Sequence, residues 1–195
     1  MILLKSSGSD ILKGIRKAKG GLREKILLLT SYLDSKISKL DYMIRRIQEK
    51  DRQLYEMVVE AQARGDMEKA RIYAREIAEV RRIASRLIKA QTILEQVKLR
   101  VETVNEIGEL ISVIQYLRPI LKEVQAYIGD MLPELAFDMD YLNTLMMEAA
   151  APLLVSTSAT SYTIHHLDPE AERILEEAAA LAEARMNNKF PKVKR

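Results

Sequence analysis

Apolar residues return at every seventh position through the first third of the chain, at Ile26, Leu33, Leu40, Ile47, Leu54 and Ala61. Four residues after successive members stand Thr30, Ile37, Ile44, Asp51 and Val58. Together they make both rows of a heptad seam, with Asp51 as one polar residue out of place. A repeat of 3.5 residues fits a helix and cannot be laid on one face of a strand, whose side chains alternate with period 2. The spacing predicts a first long helix from about Leu22 to Arg64. Arg64-Gly65-Asp66 interrupts it, and Asp66 is placed to cap a second helix. There Val80/Ile83, Leu87/Ala90, Leu94/Val97 and Val101/Val104 repeat the seam. The pattern then drifts through Ile107, Ile111, Ile114 and Leu117, with a bend expected near Gly108. The second helix is therefore read as Met67 to Leu117. Two seams of this length joined by a tight turn close on each other as an antiparallel hairpin, with arms of about 60 and 75 Å.

The fold class expected is all-α. Only 7 Gly and 5 Pro punctuate 195 residues, and the composition is 48% hydrophobic and 30% charged, which suits long helices rather than a sandwich or barrel. Arg118-Pro119 should end or kink the second helix. The segments read off the chain are a basic amphipathic lead-in at 1–21 and a hairpin core at 22–128 with a kink near Pro119. They continue with an acidic helix at 129–151, a Ser/Thr-rich linker at 152–167, a C-terminal helix at 168–186 and a basic, Pro-containing tail at 187–195. Asp168-Pro169-Glu170 starts the last helix as an N-cap followed by an N1 proline, and Asn187-Asn188 stops it.

Nothing in the chain spells out an active site. There are no Cys and only two His, which excludes a disulfide framework, a thiolate zinc site and a cysteine nucleophile. His165 and His166 are neighbours in the linker and do not converge on a metal as histidines four apart on a helix would. Phosphate-binding loops, nucleophile elbows and dinucleotide fingerprints are all missing. The expectation is a chain without catalytic residues, metal or cofactor. No run of about 18 apolar residues could span a bilayer, and Met1-Ile2-Leu3-Leu4 is too short for a secretory signal. A cytoplasmic protein is expected.

Charge is unevenly distributed. Residues 1–64 hold 14 Lys and Arg against 8 Asp and Glu, and residues 130–195 hold 6 against 11. This asymmetry predicts an anionic partner for the first part and an internal counter-charge in the second. Within the first 25 residues, Lys13, Arg16, Lys17, Lys19, Arg23 and Lys25 accompany the apolar tip Met1, Ile2, Leu3 and Leu4. Bases beside a short apolar wedge are what an interfacial membrane anchor requires, the headgroups contributing about 1 kcal/mol per base. The alternative is a nucleic-acid-binding or chromosome-organising coiled coil, which no recognised motif or aromatic stacking platform supports.

With the hairpin, the turn at Arg64-Gly65-Asp66 and the acidic late helices in place, the chain resembles the ESCRT-III (Snf7-like) family, in its archaeal cell-division, CdvB-type branch. The resemblance covers nearly the whole chain. Its most typical wording is the stretch Asp66 to Glu79, which opens Asp66-Met67-Glu68-Lys69-Ala70-Arg71, and the late helix Pro169-Glu170-Ala171-Glu172-Arg173-Ile174-Leu175. The resemblance implies a subunit that polymerises with itself and its paralogues into filaments, which constrict and cut membrane necks at the division site. It implies that the basic hairpin and N-terminal segment face anionic lipid, and that the acidic helices fold back to restrain assembly. Deleting residues 130–195 should then promote assembly. A Vps4-like AAA ATPase would dock on the tail, for which Phe190, Pro191 and Val193 are candidates, although Lys194 stands where that motif's second proline is expected. A leucine-type docking helix over Glu172–Met186 is the other option, and its alanines fit it poorly. A bacterial-type stress polymer of the same superfamily fits the proline motif and late acidic helix less well.

Overall fold

Glycine 65 sits at φ +75°, in the left-handed region that side chains avoid, and it reverses the chain between two long helices. The computed structural model describes residues 22–105, 107–154 and 169–190. Its helices are α1 (Leu22–Ala63), α2 (Met67–Glu102), α3 (Ile107–Ile128), α4 (Pro133–Leu154) and α5 (Pro169–Lys189), with no strand among the described residues. The amides of Gly65 and Asp66 donate to the carbonyls of Gln62 and Ala61. These bonds satisfy two of the last free carbonyls of α1 in the Schellman manner. Asp66 then caps α2, its carboxylate accepting the Lys69 amide at 3.1 Å and lying 2.9 Å from the Lys69 ammonium.

Above that turn the heptad rows mesh as the spacing predicts. Leu33, Leu40, Leu54 and Ala61 on α1 are buried against Leu87, Leu94 and Val101 on α2, while Ile26, Ile47 and Val80 are half-buried at the edges of the seam. Thr30 fits because its hydroxyl donates back to the Ile26 and Leu27 carbonyls. Asp51 fits because α2 supplies Arg81. The guanidinium meets the carboxylate as a fork, Nε to Oδ1 at 2.6 Å and Nη2 to Oδ2 at 3.0 Å. This bidentate geometry is the strong form of a charge-assisted bond, and it ties one point of α1 to one point of α2.

The second arm is shorter than its periodicity suggests. Helix α2 stops at Glu102, not Leu117. The Thr103 amide donates to Leu99 and its hydroxyl to Arg100, while Glu109 accepts the Asn105 amide at 2.9 Å. These groups offer the backbone local partners that compete with continuing the helix. Helix α3 then runs back along α2, so that Lys89 reaches the Tyr127 hydroxyl at 2.5 Å. The Arg118-Pro119 stop does not occur, because Pro119 lies inside α3. A proline there forfeits a helical bond at a cost of about 3 kcal/mol. Leu117, Ile120 and Leu121 beside it are almost wholly buried, and each contributes about 1.5–3 kcal/mol, which offsets that loss.

Gly129–Leu132 turns the chain into α4, which packs on α3 and α1. Helix α4 reaches Leu154, beyond the expected Ala151. Helix α5 lies on α2 and α3 and runs to Lys189, through the Asn187-Asn188 pair expected to stop it. The Phe190 amide still donates to the Met186 carbonyl, and the Phe190 ring is only 3% exposed. Burial of that ring holds the last turn together past two poor helix formers. The first arm, the antiparallel seam and the turn at 64–66 match expectation, whereas the second arm ends about four turns early.

Two stability measurements test this framework. Asp51→Leu alone should lower stability by about 1–3 kcal/mol, because Arg81 loses its partner in a largely closed site, whereas Asp51→Leu with Arg81→Met should stay near the original value. A single variant as stable as the parent in denaturant titration contradicts the pairing. At the cap, the Lys69 ammonium and then its amide hold the Asp66 carboxyl below the usual carboxylate range. The folded protein therefore binds that proton less tightly than the unfolded chain does. The cap's contribution is complete above about pH 4 and disappears as pH falls through the depressed folded value. Asp66→Asn should remove this part of the acid dependence of the melting temperature.

Candidate functional site

Basic residues of α1 and acidic residues of the second half meet directly. Lys36 Nζ lies 2.8 Å from Asp138 Oδ1 and 4.6 Å from the centre of the Tyr32 ring. The Tyr32 hydroxyl donates to the same carboxylate at 3.2 Å, and its ring packs on Tyr141 with centroids 5.3 Å apart. Burial first, and then the Asp138 charge, push the Tyr32 hydroxyl far above its ordinary range, so it keeps its proton and donates it to Asp138. Lys39 reaches Glu134 at 3.3 Å, and Lys25 donates to the Ala149 carbonyl near the end of α4 at 3.0 Å. A cation at a helix C-terminus also meets the negative end of its dipole. Lys25, Tyr32, Lys36 and Lys39 are spaced by seven, four and three residues, and so form one stripe of α1.

Helix α5 closes on α2 through two ion pairs of opposite polarity, Arg100 to Glu170 and Arg185 to Glu95, both at 2.7 Å. Between them Ala171, Ile174, Ala178 and Ala182 are buried. The alanines that make a leucine-type docking helix a poor fit serve here as a flat face that lets α5 approach closely. Gln48 of α1 reaches the Lys189 carbonyl at 3.5 Å, at the end where Phe190 is buried.

The residues singled out by sequence are distributed unevenly over this arrangement. Met1, Ile2, Leu3, Leu4, Lys13, Arg16, Lys17 and Lys19 lie outside the described residues, as do Pro191, Val193, His165 and His166. Arg23 is exposed, and Lys25 is engaged by α4. Phe190 is seated in the core rather than presented on a free tail. Deleting residues 130–195 would remove Leu135, Leu142, Leu145 and Met146, all fully buried, and would strip the apolar face of α3; a cut before α5 avoids this. Sequence reasoning missed the Tyr32, Lys36 and Asp138 cluster because Asp138 lies more than 100 residues from its partners. The available signal was that Glu134/Asp138, four apart, and Lys36/Lys39, three apart, each put two like charges on one helix face. Among the described residues no group of three or more His, Asp or Glu could hold a metal ion, and no helix is long and apolar enough to cross a membrane.

No protein-family description matches the chain, and no solved structure does. Curated relatives do, among them two from one organism. The chain is 36% identical over 181 residues to cell division protein B1 of Sulfolobus acidocaldarius, covering 91% of this chain and 82% of that protein. It is 30% identical over 189 residues to cell division protein B of the same organism, covering 95% of this chain and 70% of the relative. Identity of that extent, on an all-helical hairpin with folded-back helices, means that the chain belongs to the archaeal CdvB family of ESCRT-III-like proteins.

Proposed function

We propose that this chain is a non-enzymatic subunit of archaeal cell division, which polymerises with itself and its paralogues into filaments on anionic membrane and drives constriction and scission. The observation that carries this reading is the stripe of Lys25, Lys36 and Lys39 on a long hairpin, closed over by the chain's own Glu134, Asp138 and the Ala149 carbonyl. Such a stripe has the sign and spacing to meet anionic headgroups, and the chain carries its own competing acids. The names of the two relatives support division as the setting. The basic lead-in supports peripheral attachment at the division site from the cytoplasmic side. Disassembly is assigned to a Vps4-like AAA ATPase that takes Phe190, Pro191 and Val193, and for this Phe190 has to leave its seat beside Met186.

Negatively stained protein on anionic liposomes should show filaments or tubules. Monodisperse protein that ignores such liposomes at low salt removes the reading. Lys17→Ala with Lys19→Ala should weaken liposome binding roughly 30-fold, at about 1 kcal/mol per base near the surface, and the difference should shrink as salt rises. A chain ending at residue 168 should assemble at lower concentration than the full chain, since it lacks α5 while keeping α4; equal or poorer assembly counts against fold-back control. Phe190→Ala together with Pro191→Ala should weaken ATPase binding in calorimetry, and unaltered affinity takes the tail out of the account.

A further inference from the structure

The open end of the hairpin, opposite Gly65, holds a groove that no helix among the described residues fills. It measures about 660 Å³ and is lined by Ile26, Leu27 and Thr30 of α1 and by Glu102 and Val104, where α2 gives way to α3. A second hollow of about 360 Å³, lined by Glu109 and Val113 of α3, shares Val104 with the first. The two therefore run into each other across the break. Val104 is buried in the floor, whereas Leu27 is 64% exposed, more than any other large hydrophobic of α1 or α2. Leu99, three residues before Glu102, is exposed as well. Arg23 marks the α1 side of the groove, and acids mark the other side. Glu102 lies 3.5 Å from Lys98, and Glu109 accepts the Asn105 amide.

Residues 1–21 join α1 at Leu22, one residue before Arg23 on the groove's rim. Gly20-Gly21 at that junction admit a sharp reversal. An antiparallel register about them sets Ile15 opposite Ile26, Leu12 opposite Leu29 and Ile11 opposite Thr30. Ile11, Leu12 and Ile15 share one face at helical spacing, as Arg23, Ile26, Leu27 and Thr30 do. The bases among them, Lys13, Arg16, Lys17 and Lys19, have the sign opposite to Glu102 and Glu109.

We propose that this groove is the seat of the chain's own lead-in, with Ile11, Leu12 and Ile15 against Leu27 and Val104 and the bases toward Glu102 and Glu109. The point of attachment, the register about the two glycines and the charge select this occupant. An anionic bilayer offers the same residues an apolar layer and negative charge, so groove and lipid compete for one segment. The groove withholds the lead-in in solution, and the fraction that reaches lipid is the undocked one. The docking concerns the chain alone; only the competition rests on the membrane reading above.

The test is limited trypsin digestion of the full chain without lipid, read by mass spectrometry, with Leu27→Ser beside the parent. Leu27 is exposed, so the fold should survive, and an unchanged melting temperature checks this. Cleavage after Lys13, Arg16, Lys17 and Lys19 should be roughly tenfold faster in the variant, since it follows the undocked population. Cleavage after Lys5, outside the docked stretch, should be equal in both. Ile15→Ser should act as Leu27→Ser does, and the double variant should add little to either. Equal cleavage in parent and Leu27→Ser overturns the inference. Protection that grows with protein concentration also overturns it, because the lead-in would then sit on another copy. On vesicles of phosphatidylcholine and phosphatidylglycerol, Leu27→Ser should bind more tightly than the parent. Weaker binding would make Leu27 a lipid contact and overturn the competition. Protection relieved by Leu27→Ser in chains that both ignore the vesicles would keep the docking and remove the membrane reading. Equal cleavage in chains that both bind them would do the reverse.

Discussion

Helix α2 has to be covered on more than one side, and the molecule is arranged around that need. Its heptad seam faces α1, but Gln91, Thr92, Ile93 and Leu94 are buried in succession, and Ile88 off the seam is also fully buried. A helix apolar on several faces is stable only when enclosed. Helices α3 and α5 supply the missing walls, and α4 covers α3 in turn. Toward the turn at Gly65 the off-seam positions of α2 become more polar and its Met67 and Ile72 are exposed, and there no third helix among the described residues packs on the two arms. The covered and bare halves of the hairpin thus follow from where apolar residues depart from the seam.

Charge decides which segments meet, and apolar burial decides how firmly. Lys39 and Glu134 are largely solvated, and such a pair contributes about 0.2–1 kcal/mol at most. Lys36 with Asp138 is more enclosed but still makes up a small part of the contact. Ile174 and Phe190, buried at opposite ends of α5, each contribute about 1.5–3 kcal/mol. Salt can therefore loosen the closed form without opening it. Separating α5 from α2 would expose the apolar face that α5 buries, whatever the salt.

The hairpin was legible in the sequence because a seven-residue repeat with six members, Ile26 to Ala61, admits one geometry, and because Gly65 and Asp66 mark the reversal without ambiguity. The break after Glu102 was not. Ile107, Ile111, Ile114 and Leu117 carry an apolar face that reads as a continuation, while the stop is written in Thr103, Asn105 and Glu109, whose capping bonds are individually small and visible only once made. Pro119 misled for the complementary reason: a strong local rule is overridden by three buried neighbours. Asp51 was legible as an anomaly, yet its meaning depended on Arg81, thirty residues away. The candidate surface divides in the same way. The basic stripe of α1 could be read from spacing, but its acidic cover joins segments whose nearness no local pattern encodes.

A polar slip in an otherwise apolar seam and an exposed phenylalanine on an acidic helix are both departures from a simple rule, and they resolve differently. Asp51 finds Arg81 within the chain, so its cost is repaid where it arises, and it fixes how the arms align. Phe137 has no such internal resolution. Turning it inward would displace Leu135 or Met139 from the α3–α4 contact, since each lies two positions away on the buried side of the same helix. The helix can bury one face against its own chain and only one. An aromatic on the other face is left exposed because its neighbours Leu135 and Met139 hold the buried side.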